Sequence, residues 1–258
     1  MITFAKNMPV QLILELTENR FSAFSLNGEQ CEQLAEIICT QRNALAYKEN
    51  LVELITKISD LDRFDEFTCS FSSPYFSMVP ASLFAASNPE ELLQFTVADP
   101  LPKGETDYNR LPEWNMVVLY HMPLWVKTVL FPKVPRIMIQ HEMSHVLRYM
   151  NSGSTFGGKT VIVIQEDHFS CMVRNNGQIA HASVQEFQEP QDIAYHVLNT
   201  LQKVELTGTH EIIISATIEK QAQKGRELVE LFNRIAFFSG HRFHYKHQFH
   251  LQFQALCV

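Results

Sequence analysis

The chain has 258 residues, 46% of them hydrophobic and 19% charged, with 21 basic and 28 acidic side chains and a formal net charge of −7. That is enough apolar material for a large domain or two lobes, and it excludes a disordered, charge-solvated chain. The acidic balance argues against nonspecific binding to nucleic acid or anionic lipid, which both need a basic face.

From the N-terminus, the apolar run 10–16, the polar residues 17–20 and the apolar run 21–26 predict a β-hairpin. A helix is predicted around 51–58 and a strand over 67–72. Asn88-Pro89-Glu90-Glu91 supplies an N-cap, a proline and an acidic first turn for a helix reaching about Val97. Residues 98–113 hold Pro100, Pro102, Gly104 and Pro112 and are expected to form a long surface loop. A short buried strand over 116–120 and a short helix over 123–131 follow. Residues 151–158 carry three of the nine glycines and read as the joint between two halves, 1–152 and 153–258.

The second half opens as the first does. The β-branched run 160–164, the polar residues 165–168 and the apolar run 169–173 predict another hairpin. Glu166, Phe169, Ser170 and Asn175 stand 148 positions after Glu18, Phe21, Ser22 and Asn27. A helix is predicted over 189–202, with Ala194, Val197, Leu198 and Leu201 on one face; the earlier helix around 51–58 corresponds to residues 193–204, whose end stands 146 positions on, and the strand 67–72 to a strand over 211–216, 144 positions on. The repeated order implies internal duplication. A further helix is predicted over 220–232. Finally, Phe243, Tyr245, Phe249, Leu251 and Phe253 alternate with His244, Lys246, Gln248, His250 and Gln252, the pattern of a strand with one buried face. The pattern is mixed α/β in two similar lobes.

Two strings match catalytic motifs. His141-Glu142-Met143-Ser144-His145 fits H-E-x-x-H, in which a helix places both imidazoles on one face to hold Zn²⁺ and the glutamate acts as general base. The competing expectation is a strand from Pro135 that turns into a helix near Ser144, so that the histidines diverge. Residues 153–160 fit the G-x-x-x-x-G-K-[ST] phosphate loop. Thr160 leads into Val161-Ile162-Val163-Ile164, however, so the helix whose N-terminus would face the phosphates is missing. The string is therefore expected to be a flexible linker with a solvated Lys159. His241, His244, His247 and His250 are spaced by three, which on a strand alternates faces and does not converge. The five cysteines form no C-x-x-C pair, as expected of a reduced cytoplasmic protein. No apolar run approaches the ~20 residues of a membrane span.

The landmarks Val79-Pro80-Ala81-Ser82-Leu83-Phe84, Phe131-Pro132 ahead of residues 136–141, and Gln191-Asp192-Ile193-Ala194-Tyr195-His196-Val197-Leu198 fall in order along this duplicated hairpin–helix–strand plan. On them, the chain resembles an uncharacterised bacterial family with the actin-like ATPase fold, a ribonuclease H-like architecture. The resemblance implies a strand over 136–141. It also implies two nucleotide-gripping hairpin turns, each built as Asp followed by small glycine-containing residues, and a Gly-Gly strand end for adenosine. Here those positions read Glu15-Leu16-Thr17-Glu18-Asn19, Val163-Ile164-Gln165-Glu166-Asp167-His168 and Ser215-Ala216-Thr217-Ile218, without a glycine. Glu15, Glu18, Glu166, Asp167 and Ala216 are the degenerate positions. A carboxylate ~4 Å from a phosphate charge opposes binding by ~1 kcal/mol in water and by several at lower dielectric.

The resemblance thus implies the fold and not the activity. The expectation is a non-catalytic protein without cofactor or metal that has lost ATP binding. It would act through an unidentified protein partner, self-association included, without nucleic acid or membrane insertion. The alternative is a zinc-dependent metallohydrolase with His141 and His145 as ligands and Glu142 as base; a divergent but active ATPase ranks third.

Overall fold

The computed structural model describes residues 9–28, 30–85, 88–134, 136–152, 157–205 and 210–255. The chain divides into two compact units, Met1–His145 with Gln254–Val258, and Val146–Phe253.

The first unit is built on β1 (Val10–Leu16), β2 (Arg20–Asn27) and β3 (Gln30–Ile38), an antiparallel meander. The 14-residue helix α1 (Ala44–Lys57) follows; Asn43 caps it by accepting the Ala46 N–H at 2.9 Å. The chain then enters β4 (Glu66–Phe71), parallel to β1. A segment with β5 (Phe76–Pro80), α2 (Pro89–Gln94), β6 (Thr106–Leu111), β7 (Met116–His121) and α3 (Leu124–Lys133) comes next. The chain then returns through β8 (Met138–His141), parallel to β4. The main sheet has the order β3-β2-β1-β4-β8, and a second, antiparallel sheet has the order β5-β7-β6. Leu12, Ile13, Leu14 and Leu16 on β1 are fully buried, as expected of a central strand covered on both faces.

Helix α4 (Glu142–Asn151) leads into the second unit. There β9 (Gly158–Ile164), β10 (His168–Asn175) and β11 (Gln178–Glu186) form a meander. Helix α5 (Pro190–Lys203), β12 (His210–Ala216), α6 (Glu219–Arg234), β13 (Arg242–His247) and α7 (His250–Gln254) follow. The sheet order is β11-β10-β9-β12-β13, with β12 and β13 parallel to β9. Its core gathers Ile162, Ile164, Phe169, Ile212 and Ile214 under Ile193, Val197, Leu201, Leu228 and Phe232 of α5 and α6.

The duplication extends to single hydrogen bonds. In the first hairpin turn the Thr17 N–H donates to Arg20 O, and the Cys39 N–H donates to Asn19 O. In the second, the Gln165 N–H donates to His168 O, and the Phe187 N–H donates to Asp167 O, each pair 148 positions on. Both connecting helices have 14 residues. After the second parallel strand the Ser72 N–H reaches Leu16 O, and the Thr217 N–H reaches Ile164 O.

Three sequence expectations are corrected. Residues 98–113 are not one long loop. Thr106–Leu111 pairs antiparallel with Met116–His121, and Asn115 in the left-handed region (φ 51°) closes the hairpin. The prolines lie outside the paired residues and so do not break the ladder. The C-terminal strand stops at His247; Leu251 and Phe253 sit buried on α7 and its Phe249–Phe253 aromatic contact. Apolar residues two apart there reflect a strand followed by a turn and a short helix, not one period. Lys159 is not solvated: it lies in β9, 3.7 Å from Glu211. Residues 153–156 of the phosphate-loop string, and with them part of the expected joint, lie outside the described residues. Among the described residues no helix is long and apolar enough to cross a membrane.

Candidate functional site

An anion cradle needs backbone N–H groups turned outward. The first hairpin turn, Thr17-Glu18-Asn19-Arg20, keeps two of its own. The Thr17 N–H goes to Arg20 O, and the Arg20 N–H goes to Thr17 Oγ1 at 3.0 Å. Glu18 pairs with Arg42 at 3.2 Å, and Arg42 also donates to Asn19 Oδ1 at 2.7 Å. Glu15 is buried near the end of β1, opposite Ser22 and Ser70.

The second turn repeats this economy. The Gln165 N–H is used on His168 O, and Asp167 Oδ1 lies 2.7 Å from His168 Nδ1. Gln221 Nε2 donates to Glu166 O at 2.9 Å. At the strand end expected to face adenosine, Ala216 is fully buried, and its carbonyl accepts the Gln248 N–H. Ser215 Oγ accepts the His250 N–H at 3.1 Å and lies 3.0 Å from His250 Nδ1, so this side chain starts α7.

The H-E-x-x-H string straddles a strand–helix junction. His141 is the last residue of β8, and the helix starts at Glu142, two residues before the predicted position. His141 and His145 therefore do not lie on one helical face. The His141 ring is stacked 5.0 Å from Phe76 and lies 5.1 Å from Tyr120. Its Nε2–H donates to Ser73 O at 2.9 Å, and Nδ1 accepts the Met143 N–H at 3.2 Å. Both ring nitrogens are thus engaged, in the neutral tautomer. Burial pushes its pKa down to about 4, against a smaller upward pull from the Ser73 carbonyl. Asn109 Oδ1 accepts both the His141 N–H and the Ser144 hydroxyl, tying β6 to the junction. Among the described residues no three His, Cys, Asp or Glu side chains converge to hold a metal.

A cleft of about 460 Å³ opens in the first unit beside the Thr17–Glu18 turn, the start of α1 and residues 71–75 beyond β4. This is the carboxyl end of β1 and β4, where the order β3-β2-β1-β4-β8 reverses direction, and open α/β sheets bind ligands at such points. Tyr47 and Trp125 stack at 5.7 Å with planes 12° apart, and Phe21 completes the floor. Pro74, Tyr75 and Pro123 line the rim. Glu105 holds His121 Nε2 at 3.0 Å through one oxygen and the Leu124 N–H through the other. The residue signals here are dispersed over α1, α3 and two loops, and local periodicity gives no hint that they meet.

The profile described as "Protein of unknown function (DUF3822)" matches residues 2–235. The chain belongs to this family. No functionally curated protein matches it. A Bacteroides thetaiotaomicron protein described as having an actin-like ATPase fold and unknown function is 18% identical. It aligns over 100% of this chain and 99% of its own with a TM-score of 0.74. The DUF3822 chain therefore has the actin-like ATPase fold. Weaker similarities reach the PilM–PilN type IV pilus biogenesis complex (11% identity, 92% and 88% coverage, TM-score 0.47). They also reach the ethanolamine utilization protein EutJ of Carboxydothermus hydrogenoformans (9%, 92% and 84%, 0.46).

Proposed function

We propose that this protein is a degenerate actin-like protein that has lost ATP binding and works through protein–protein contacts. The carrying observation is how the two hairpin turns use their amides. Thr17 and Gln165 donate inward across their own turns, and Arg20 donates to Thr17 Oγ1. Donors committed in this way are not offered to a phosphate, and Glu18, Glu166 and Asp167 add negative charge beside them. No glycine occupies either turn, so side chains stand where an anion would approach the backbone. The strand end at Ala216 is likewise closed: the Ala216 carbonyl accepts the Gln248 N–H, and the Thr217 N–H is used on Ile164 O. In favour of protein contacts, β13 ends its sheet among the described residues. An edge strand of this kind can pair with an added strand.

Isothermal titration with ATP·Mg²⁺ tests the loss of nucleotide binding. The expected Kd is weaker than about 1 mM, or about −4 kcal/mol. A micromolar Kd overturns it.

A further inference from the structure

The aromatic cleft of the first unit has a lining that the loss of nucleotide binding leaves unexplained. We propose that it takes an uncharged, proline-containing, extended segment of a partner protein. This deepens the protein-contact reading and rests on it.

Charge decides the first property of the occupant. Four acidic, basic or imidazole side chains line the cleft, and each is already held. Arg42 is paired with Glu18, and Glu105 bridges His121 and the Leu124 N–H. An ionic ligand would compete with these pairs. A neutral one leaves them intact and gains only from covering apolar surface.

The lining decides the second property. Tyr47, Tyr75 and Trp125 with Pro74 and Pro123 offer ring faces, on which proline rings and apolar side chains pack. Aromatic-lined grooves of this composition suit polyproline II segments, which arrive already extended and lose little entropy on docking. Such a segment has no internal hydrogen bonds, so its carbonyls are free to accept. A donor is present. The Trp125 indole N–H makes no hydrogen bond among the described residues, although its side chain is only 9% exposed. Its ring nitrogen is not among the buried unpartnered atoms, so it keeps access to solvent and can donate to a carbonyl brought into the cleft.

The duplication provides an internal control. The residue 146 positions after Tyr47 is Ile193, which is fully buried in the second unit's core. In the first unit the same helical position holds a half-buried tyrosine. Its hydroxyl is pinned to Glu18 O at 3.1 Å, and its ring is fixed against Trp125. Tyr75 is 36% exposed across the opening, in edge contact with the His121 ring at 6.2 Å. A shared scaffold that needs only core at this site has thus acquired an oriented, solvent-facing aromatic surface in one copy.

The test is selection of a random twelve-residue phage-displayed peptide library on the full chain, run in parallel on Tyr47→Ala and Tyr75→Ala. Enriched sequences are expected to share an uncharged, proline-containing core. A synthetic peptide of that core should quench or enhance tryptophan fluorescence saturably and bind each variant at least tenfold more weakly. Tyr75 is exposed, so its variant keeps the test valid even if Tyr47→Ala unfolds, and thermal melting of each variant checks this. No enrichment, a charged or proline-free consensus, or binding unchanged in Tyr75→Ala overturns the proposal. ATP·Mg²⁺ titration of the same preparation separates the two readings. Peptide binding together with micromolar ATP affinity refutes the loss of nucleotide binding and leaves the cleft's occupant standing. Neither ligand binding refutes the occupant alone.

Discussion

Replacing His141 by glutamine should remove this residue's share of the pH dependence of stability. The wild-type ring is buried and neutral, with a pKa of about 4 against 6.5 for a free imidazole. Below pH 6.5 the unfolded chain takes up a proton at this site and the folded chain does not. The contribution of this site to stability therefore falls as pH drops from 6.5 to 4 and levels off below that. The full window is on the order of 3 kcal/mol, of which about 2.5 kcal/mol has been lost by pH 4.5. Glutamine can keep a donor near Ser73 O but does not titrate. It loses the aromatic stacking on Phe76 and Tyr120 and weakens the contact with the Met143 N–H. At pH 7 it should cost roughly 1–2 kcal/mol. Toward pH 4.5 the deficit should shrink and then reverse. Urea unfolding at pH 7, 5.5 and 4.5, followed by tryptophan fluorescence, measures this. Both tryptophans, Trp114 and Trp125, lie in the same unit as His141, so the signal reports that unit. A wild-type-minus-variant difference that stays constant within about 0.5 kcal/mol over this range would refute the assignment of a buried neutral histidine.

Other expectations follow from single contacts. A Cβ on Gly158 would lie 1.8 Å from His210 Nδ1, whose Nε2 sits 2.5 Å from Thr160 Oγ1. Gly158→Ala should therefore destabilise the second unit by about 2–4 kcal/mol, seen as earlier loss of circular dichroism in urea; a change under about 0.5 kcal/mol would contradict this packing. Ser215→Ala removes the partner of the His250 amide and ring, and should cost about 1–3 kcal/mol in the same assay. An unaltered midpoint would deny Ser215 its role at the start of α7. Cys69 and Cys171 are buried, and desolvation raises both thiols, Cys171 to about 12. Mass spectrometry after alkylation at pH 8 should find both unlabelled in the folded protein and labelled in urea.

Much of the fold was legible because it rests on local patterns. The runs at 10–16 and 160–164, each followed by four polar residues and a second run, gave both hairpins, and Asn88-Pro89 marked the start of α2. The edge strands β3 and β11 were not predicted. Their exposed, polar-rich residues carry weak alternation, and they become strands only because β2 and β10 offer an open ladder. The H-E-x-x-H string shows the limit from the other side. Helix and strand periods both fitted residues 136–150. The pairing of Met138–His141 with Thr68–Phe71, an interaction with residues some seventy positions away, settled which applied.

By itself, the sequence determined the duplication, the α/β class and the absence of glycine from the two hairpin turns. Each of these is written in residues close together or at a fixed offset. Tertiary structure alone decided that His141 is a structural ring with both nitrogens committed, and that Tyr47, Tyr75 and Trp125 share one cleft. The physical reason is the same for both. A ring's protonation state and its exposure are set by what is packed around it, and here those neighbours arrive from β5, β7, α1 and α3, separated in the chain and joined only when the sheets close.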